Sequence, residues 1–259
     1  MAGHYRQNPW SIIEDGFDPS LQEEAESIFS LGNGRIGQRA NFEEKYSGNT
    51  LQGNYLAGIY YPDRTRVGWW KNGYPEYFAK VLNAPNWIGI DVTVNGQELD
   101  LNKCKIIEFR RELDMKEGIL NRTFLAELEG GDTVKVSSKR FLSMKHNEVG
   151  VIKYSVTPIN FDGEISFSPY IDAGIMNEDA NYDEYFWEIL DSKEEQNEAY
   201  ILSKTLKTEF HVCTGMKVEM ALNDFLIDTE KEVIRTDKKI RYSYKTEVKS
   251  GDTFTLFKY

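Results

Sequence analysis

The sequence predicts an all-β fold, a large antiparallel sandwich with few and short helices. Turn signals recur along most of the chain at roughly the 8–12-residue spacing of sandwiches and barrels. The runs between them are short, alternating, and rich in β-branched and aromatic residues, which suit a pleated, half-buried surface. Helical periodicity is confined to one segment near the start. Aromatic residues make up 13% of the chain, with 15 Tyr, 14 Phe and 5 Trp.

In chain order, the helical segment comes first. Residues 19–27 place Pro19 at the start and glutamates in the first turns, which predicts a short helix. Residues 88–94 alternate, Asn95-Gly96 follows, and 97–101 return. That dipeptide is a strong hairpin signal because both residues tolerate positive φ. Residues 118–129 read as a long strand, turned by Gly130-Gly131-Asp132 into 133–138. Strands over 149–157 and 164–171 flank the turn 160–163. Those over 185–190 and 200–206 flank a charged turn around 194–197. The segments 208–222, 232–234, 240–248 and 253–259 complete the series. The last runs strand-like to Tyr259. It would either dock at a sheet edge or belong to a chain that continues, and the second is the expectation.

With 259 residues, the chain is long enough to bury a full core. Hydrophobic residues are 40% and charged residues 28%, which describes a folded globular chain. The net charge is −11, from 31 basic and 42 acidic residues. Such a surface repels phosphate backbones, so neither nucleic acid nor an anionic membrane is an expected partner. No apolar run approaches the roughly 20 residues of a membrane span, and no signal-peptide core opens the chain. A cytoplasmic location is expected. Cys104 and Cys213 lie far apart with no C-x-x-C, and are expected as two buried thiols in a reducing compartment.

The most informative stretch is 26–44. Gly32-Asn33-Gly34-Arg35-Ile36-Gly37 matches G-x-G-x-x-G letter for letter. A dinucleotide site also needs a strand before the motif and a helix opening at its last glycine, so that the helix N-terminus holds the pyrophosphate. Neither flank fits. The remaining reading is a tight turn in which Asn33 and the glycines visit positive φ. Asp179 to Asp183 resembles the start of a calcium loop, but Glu184 and Leu190 stand where an EF-hand needs Gly and Glu. A solvated acidic loop is expected between Asp172 and Glu198. His4, His146 and His211 show no metal-ligand spacing; His211, inside a predicted strand, is expected half-buried. No metal and no cofactor is implied. The segment 60–78 mixes aromatics, Arg, Gly and Pro without a period. Irregular loops of this kind serve interfaces or active-site rims, and internal packing is the third reading.

These residues resemble glycoside hydrolase family 65. Glu26-Ser-Ile-Phe-Ser-Leu-Gly-Asn-Gly-Arg-Ile-Gly-Gln-Arg39 with Asn41-Phe-Glu-Glu44 resembles the opening block of the family. Tyr55-Leu-Ala-Gly-Ile-Tyr60, Leu82-Asn-Ala-Pro-Asn-Trp87 and Leu113-Asp-Met-Lys-Glu-Gly-Ile-Leu-Asn-Arg122 are similar to the blocks after it. Pro62-Asp-Arg-Thr-Arg-Val-Gly-Trp-Trp-Lys-Asn-Gly-Tyr-Pro75 is similar to the maltose phosphorylases within it. Ala40 departs from the pattern, which has Gly there.

The resemblance implies a galactose-mutarotase-like β-supersandwich over 1–259, the N-terminal domain of a larger enzyme. A catalytic (α/α)₆ barrel would follow, outside this chain. The implied reaction is inverting phosphorolysis of an α-glucoside, maltose first, with inorganic phosphate as co-substrate. The resemblance assigns no catalytic residue to this chain. From the density of Arg and aromatic residues, Asn33, Arg35, Glu43, Glu44, Arg66, Trp69, Trp70 and Tyr74 are the candidates for contact with the barrel and a homodimer partner, or for the active-site rim. Kojibiose, trehalose and nigerose phosphorylases, and hydrolases, share the family. A free-standing carbohydrate-binding module and a mutarotase-like enzyme are the readings from other classes; the latter needs a converging acid and base, which three scattered histidines do not supply.

Overall fold

The computed structural model describes residues 4–65, 73–178 and 185–259. The chain opens with a hairpin, β1 (Tyr5–Asn8) and β2 (Ser11–Asp15). A 3-10 turn over Pro19–Leu21 then leads into helix α1 (Gln22–Ile28). Asp18 caps the turn by accepting from the Ser20 amide at 2.9 Å. Short strands follow: β3 (Leu31–Gly32), β4 (Ile36–Gln38), β5 (Asn54–Leu56), β6 (Tyr60–Arg64) and β7 (Tyr77–Val81). Next come β8 (Ile90–Val94), β9 (Gln97–Glu98), β10 (Lys105–Asp114), β11 (Ile119–Glu127), β12 (Thr133–Leu142), β13 (Gly150–Pro158) and β14 (Gly163–Asp172). The remainder holds β15 (Trp187–Glu195), β16 (Glu198–Thr205), β17 (His211–Leu222), β18 (Phe225–Ile227), β19 (Lys231–Arg235), β20 (Lys239–Val248) and β21 (Phe254–Lys258).

Every pairing is antiparallel. An 11-stranded sheet runs β1-β2-β10-β11-β12-β13-β21-β17-β16-β15, with β18 hung on β17. A 5-stranded sheet, β19-β20-β14-β8-β9, packs across it. The two share one core because alternate residues of each point inward. Ile90, Val92, Phe167 and Tyr242 from the smaller sheet meet Phe124, Val136, Tyr154 and Phe254 from the larger one. Phe167 stacks on Phe254 with ring centroids 4.7 Å apart. The strand β6–β7 and segment 82–84 bury a smaller satellite cluster of Tyr61, Leu82, Ala84, Ile175, Phe186, Trp187 and Val212.

The predicted hairpins are present. Asn95 and Gly96 have φ of 48° and 77°, the two positive values that this turn requires. The charged turn tightens to Gln196-Asn197, with Gln196 at φ 50°. Several expectations are corrected. β10 escapes an apolar reading because Arg111 takes an inward position and a bulge between Ile106 and Glu108 breaks the alternation. The irregular 60–78 segment ends in paired strands, β6 and β7. Part of the acidic stretch is the edge strand β15, whose acidic side chains face solvent; residues 179–184 lie outside the described residues. His211 is exposed, because the strand begins there and the preceding Glu209 turns at φ 56°. Cys213 is exposed on β17 and Cys104 is half-buried; neither forms a disulfide. β21 docks between β13 and β17 in the middle of the large sheet and not at its edge.

Candidate functional site

The Gly32–Gly37 stretch forms the β3–β4 hairpin, with no helix at its end. Of its residues only Gly34 has positive φ, at 83°; Asn33 does not. Asn33 shapes the turn through its side chain. Oδ1 accepts from the amides of Arg35 at 3.0 Å and Ile36 at 2.8 Å, and Nδ2 donates to the carbonyls of Ser143 at 2.8 Å and Asn147 at 2.9 Å. Its amide is thus spent inside the chain, riveting the hairpin to the loop after β12. Arg35 is exposed.

Glu43 and Glu44, expected as contact residues, are both 3% exposed. They serve as counter-ions for an arginine column on the inner face of the large sheet. Arg111 and Arg122 stand directly opposite each other across β10 and β11, and Arg140 follows on β12. All three are buried. Arg122 binds both carboxyl groups, reaching Glu43 at 2.7 Å, and Tyr154 donates to Glu44 at 3.1 Å. Arg140 reaches Glu43 at 3.2 Å. Arg111 pairs with Glu14 at 3.0 Å and donates to Gln22 at 2.8 Å, and Gln22 donates to Glu26 at 3.1 Å. The guanidinium carbon of Arg122 also lies 4.3 Å from the Phe42 ring centroid.

Charges so deeply buried persist only when paired and hydrogen-bonded. Burial pushes the Glu43 carboxyl up, but Arg140 and Arg122 outweigh it and hold it below the usual range. Burial likewise pulls Arg122 down, and Glu44 and Glu43 more than restore it, so its pKa is raised. Arg111 is lowered to about 10 because burial exceeds the help from Glu14. The network is a structural clamp, joining the 26–44 segment to the large sheet. Sequence reading missed its arginines. A signal was present: in Leu120-Asn-Arg122-Thr-Phe124, Arg122 stands in line with inward apolar residues.

The accessible surface lies elsewhere. A groove of about 490 Å³ is lined by Gly34, Arg35, Tyr55, Tyr60 and Val81. A second, of about 690 Å³, is lined by Tyr55, Phe78, Val81 and Asn83. The two share Tyr55 and Val81, and so form one continuous face around the β6–β7 hairpin. Val81 is 57% exposed and Tyr74 is 61% exposed, with Tyr60, Tyr77 and Phe78 also open. A cluster of large apolar side chains of this kind marks an interaction surface. Arg66, Trp69 and Trp70 lie outside the described residues. Among the described residues, no group of His, Cys, Asp and Glu could hold a metal ion, and no helix is long and apolar enough to cross a membrane.

The architecture is that of a large antiparallel β-supersandwich with a buried ion-pair network and an exposed apolar face. The family description "Glycosyl hydrolase family 65, N-terminal domain" matches residues 12–259, and the chain belongs to that family. It is 39% identical to the maltose phosphorylase of Bacillus subtilis (strain 168) over 92% of this chain and 32% of that one. It is 30% identical to the alpha,alpha-trehalose phosphorylase of Thermoanaerobacter brockii over 98% of this chain and 34% of that one. It is 29% identical to the kojibiose phosphorylase of the same organism over 82% of this chain and 26% of that one. A solved structure assigned as a kojibiose phosphorylase from human microbiome superposes with a TM-score of 0.85 at 26% identity, covering 98% of this chain and 32% of that chain. The chain thus spans about a quarter to a third of the length of these relatives.

Proposed function

We propose that the chain is the non-catalytic N-terminal domain of an inverting disaccharide phosphorylase whose substrate is maltose. The substrate rests on one observation: 39% identity to a maltose phosphorylase, against 30% and 29% to trehalose and kojibiose phosphorylases. In that reaction a carboxylic acid of the catalytic barrel protonates the leaving glycosidic oxygen. Inorganic phosphate, in place of water, attacks the anomeric carbon from the opposite face. The products are β-glucose 1-phosphate and glucose.

A supporting role is favoured by the burial of Glu14, Glu26, Glu43 and Glu44, which are tied to arginines inside the domain and face no open cleft as a pair. The apolar face around Tyr60, Tyr77 and Val81 is where the barrel would pack, and its margin would meet the second subunit of a cytoplasmic homodimer. The test is an assay of the longer enzyme carrying this domain, with maltose, kojibiose, trehalose and nigerose, each with and without phosphate. Phosphate-dependent glucose release from maltose is expected. Hydrolysis without phosphate, or preference for another disaccharide, overturns the reading.

A further inference from the structure

We propose that the domain carries its own binding site for a neutral, hydroxyl-rich ligand of mono- to disaccharide size, in the cavity between the 41–52 segment and the outer face of the smaller sheet. This inference goes beyond the phosphorylase reading and does not rest on it.

The cavity measures about 410 Å³, within the size range of small-molecule sites. One wall is the segment that carries Phe42, Lys45 and Gln52, and the other is built from Asn86, Tyr170, Lys239 and Arg241. Its charges cancel locally. Lys45 pairs with Glu98 at 2.8 Å, Lys239 with Asp172 at 3.4 Å, and Arg241 with Asp91. An anion would have to break these pairs to find an uncompensated cation, so the cavity does not select phosphate or a nucleotide. An apolar ligand would strand the polar lining unsatisfied.

What remains suits hydroxyl groups, which donate and accept at once. The Gln52 carboxamide and Asn86 Nδ2 have no protein partner among the described residues, while Asn86 Oδ1 is occupied by the Ile88 amide at 3.0 Å. The paired carboxylates of Asp91 and Glu98 retain free lone pairs. Tyr170 is held fixed in the wall, because Gly89 lies against its ring and Lys239 Nζ covers the ring 3.5 Å from its centroid.

The floor is pre-organised. The Asn41 amide donates to Thr50 Oγ1 at 3.2 Å and to the Leu51 carbonyl at 3.1 Å, and accepts from the Gly53 amide at 3.1 Å. Behind it Glu44 is clamped by Arg122. A fixed site loses little ordering entropy on binding. The carboxylates at the rim are salt-bridged and no histidine lines the cavity, so the site binds and does not catalyse.

The test is calorimetric titration of this chain with glucose, maltose and inorganic phosphate, for the wild type and for Gln52→Ala and Asn86→Asp. Asn86→Asp keeps the Oδ1 acceptor, removes the donor and adds a negative charge, so Gln52→Ala, which adds none, is the cleaner of the two. Sugar binding should weaken about tenfold in each variant, the equivalent of one lost hydrogen bond, with an unchanged melting temperature. If Asn86→Asp does not fold, Gln52→Ala carries the test, since its carboxamide supports nothing in the protein. No heat with either sugar, heat with phosphate alone, or sugar affinity unchanged in the folded variants overturns the proposal. None of these outcomes bears on whether the longer enzyme is a phosphorylase.

Discussion

Tyr170 lies flat against Gly89, so closely that a Cβ at position 89 would fall 2.0 Å from the ring carbon that bears the hydroxyl. The Gly89 carbonyl also accepts from the Tyr170 amide at 3.0 Å and from Lys258 Nζ at 2.8 Å. The contact fixes the approach of β8, β14 and β21 at one point. Gly89→Ala should therefore cost about 1–3 kcal/mol, the range for overpacking a well-filled site. Urea denaturation of the variant checks this. Gly32→Ala is the control: its nearest neighbour would be a backbone oxygen at an ordinary 3.7 Å, so its midpoint should move little.

Removing Arg122 leaves Glu43 and Glu44 buried without their shared partner. Arg122→Met should destabilise the domain by about 3–5 kcal/mol, as expected when one side of a buried ion pair is lost. Adding Glu44→Gln to that variant should recover part of the loss, because Glu44 has Arg122 as its ion-pair partner while Glu43 keeps Arg140. Chemical denaturation of the single and double variants measures both effects. A double variant no more stable than the single one would contradict the clamp.

The same network sets an acid limit. The carboxyl of Glu43 is held below its ordinary value in the folded state. Its contribution is present above the unfolded carboxylate value of about 4.3 and is lost as pH falls through the lower, folded value. Glu43→Gln should flatten the fall in stability across that window, read as the denaturation midpoint against pH.

Lys258 gives a slope of the same sign in a more alkaline window. Its amine is buried between the Gly89 and Tyr170 carbonyls, and burial, with Lys239 nearby, holds its pKa well below the ordinary lysine value. Between the folded value and about 10.4, the unfolded chain binds a proton that the folded chain does not. Stability from this group therefore rises with pH across that window. Lys258→Met should abolish that rise. A slope identical in both proteins would mean that the amine remains charged when folded.

The apolar face makes a separate prediction. Val81→Asp and Tyr60→Ser alter exposed positions, so each should shift the stability of this chain by no more than about 0.5 kcal/mol. In the longer enzyme the same changes should lower the melting temperature and phosphorolysis together. Equal behaviour in both contexts would remove this face from the barrel contact.

Local chemistry made much of the fold legible. Asn95-Gly96 marks its hairpin because positive φ is cheap there. The alternation of 118–129 marks β11 because successive side chains of a strand point to opposite faces. The exceptions share one cause. β10 and the arginines of the clamp were missed because buried charge at inward positions imitates a solvated face. Glu43 and Glu44 looked like surface contacts for the same reason. Their counter-ions lie 78 or more residues away in sequence, where no local pattern can pair them.

By itself the sequence determined the all-β class, its main hairpins, and through four short blocks the family. Periodicity and turn chemistry are properties of neighbouring residues. Tertiary structure alone decided that the G-x-G-x-x-G stretch is a hairpin riveted by Asn33, that the Glu pair is an interior clamp, that β21 lies within the large sheet, and that a charge-balanced cavity opens beside Tyr170. Each depends on segments far apart in the chain meeting in a low-dielectric interior, where pairing and not residue type fixes what a charge can do.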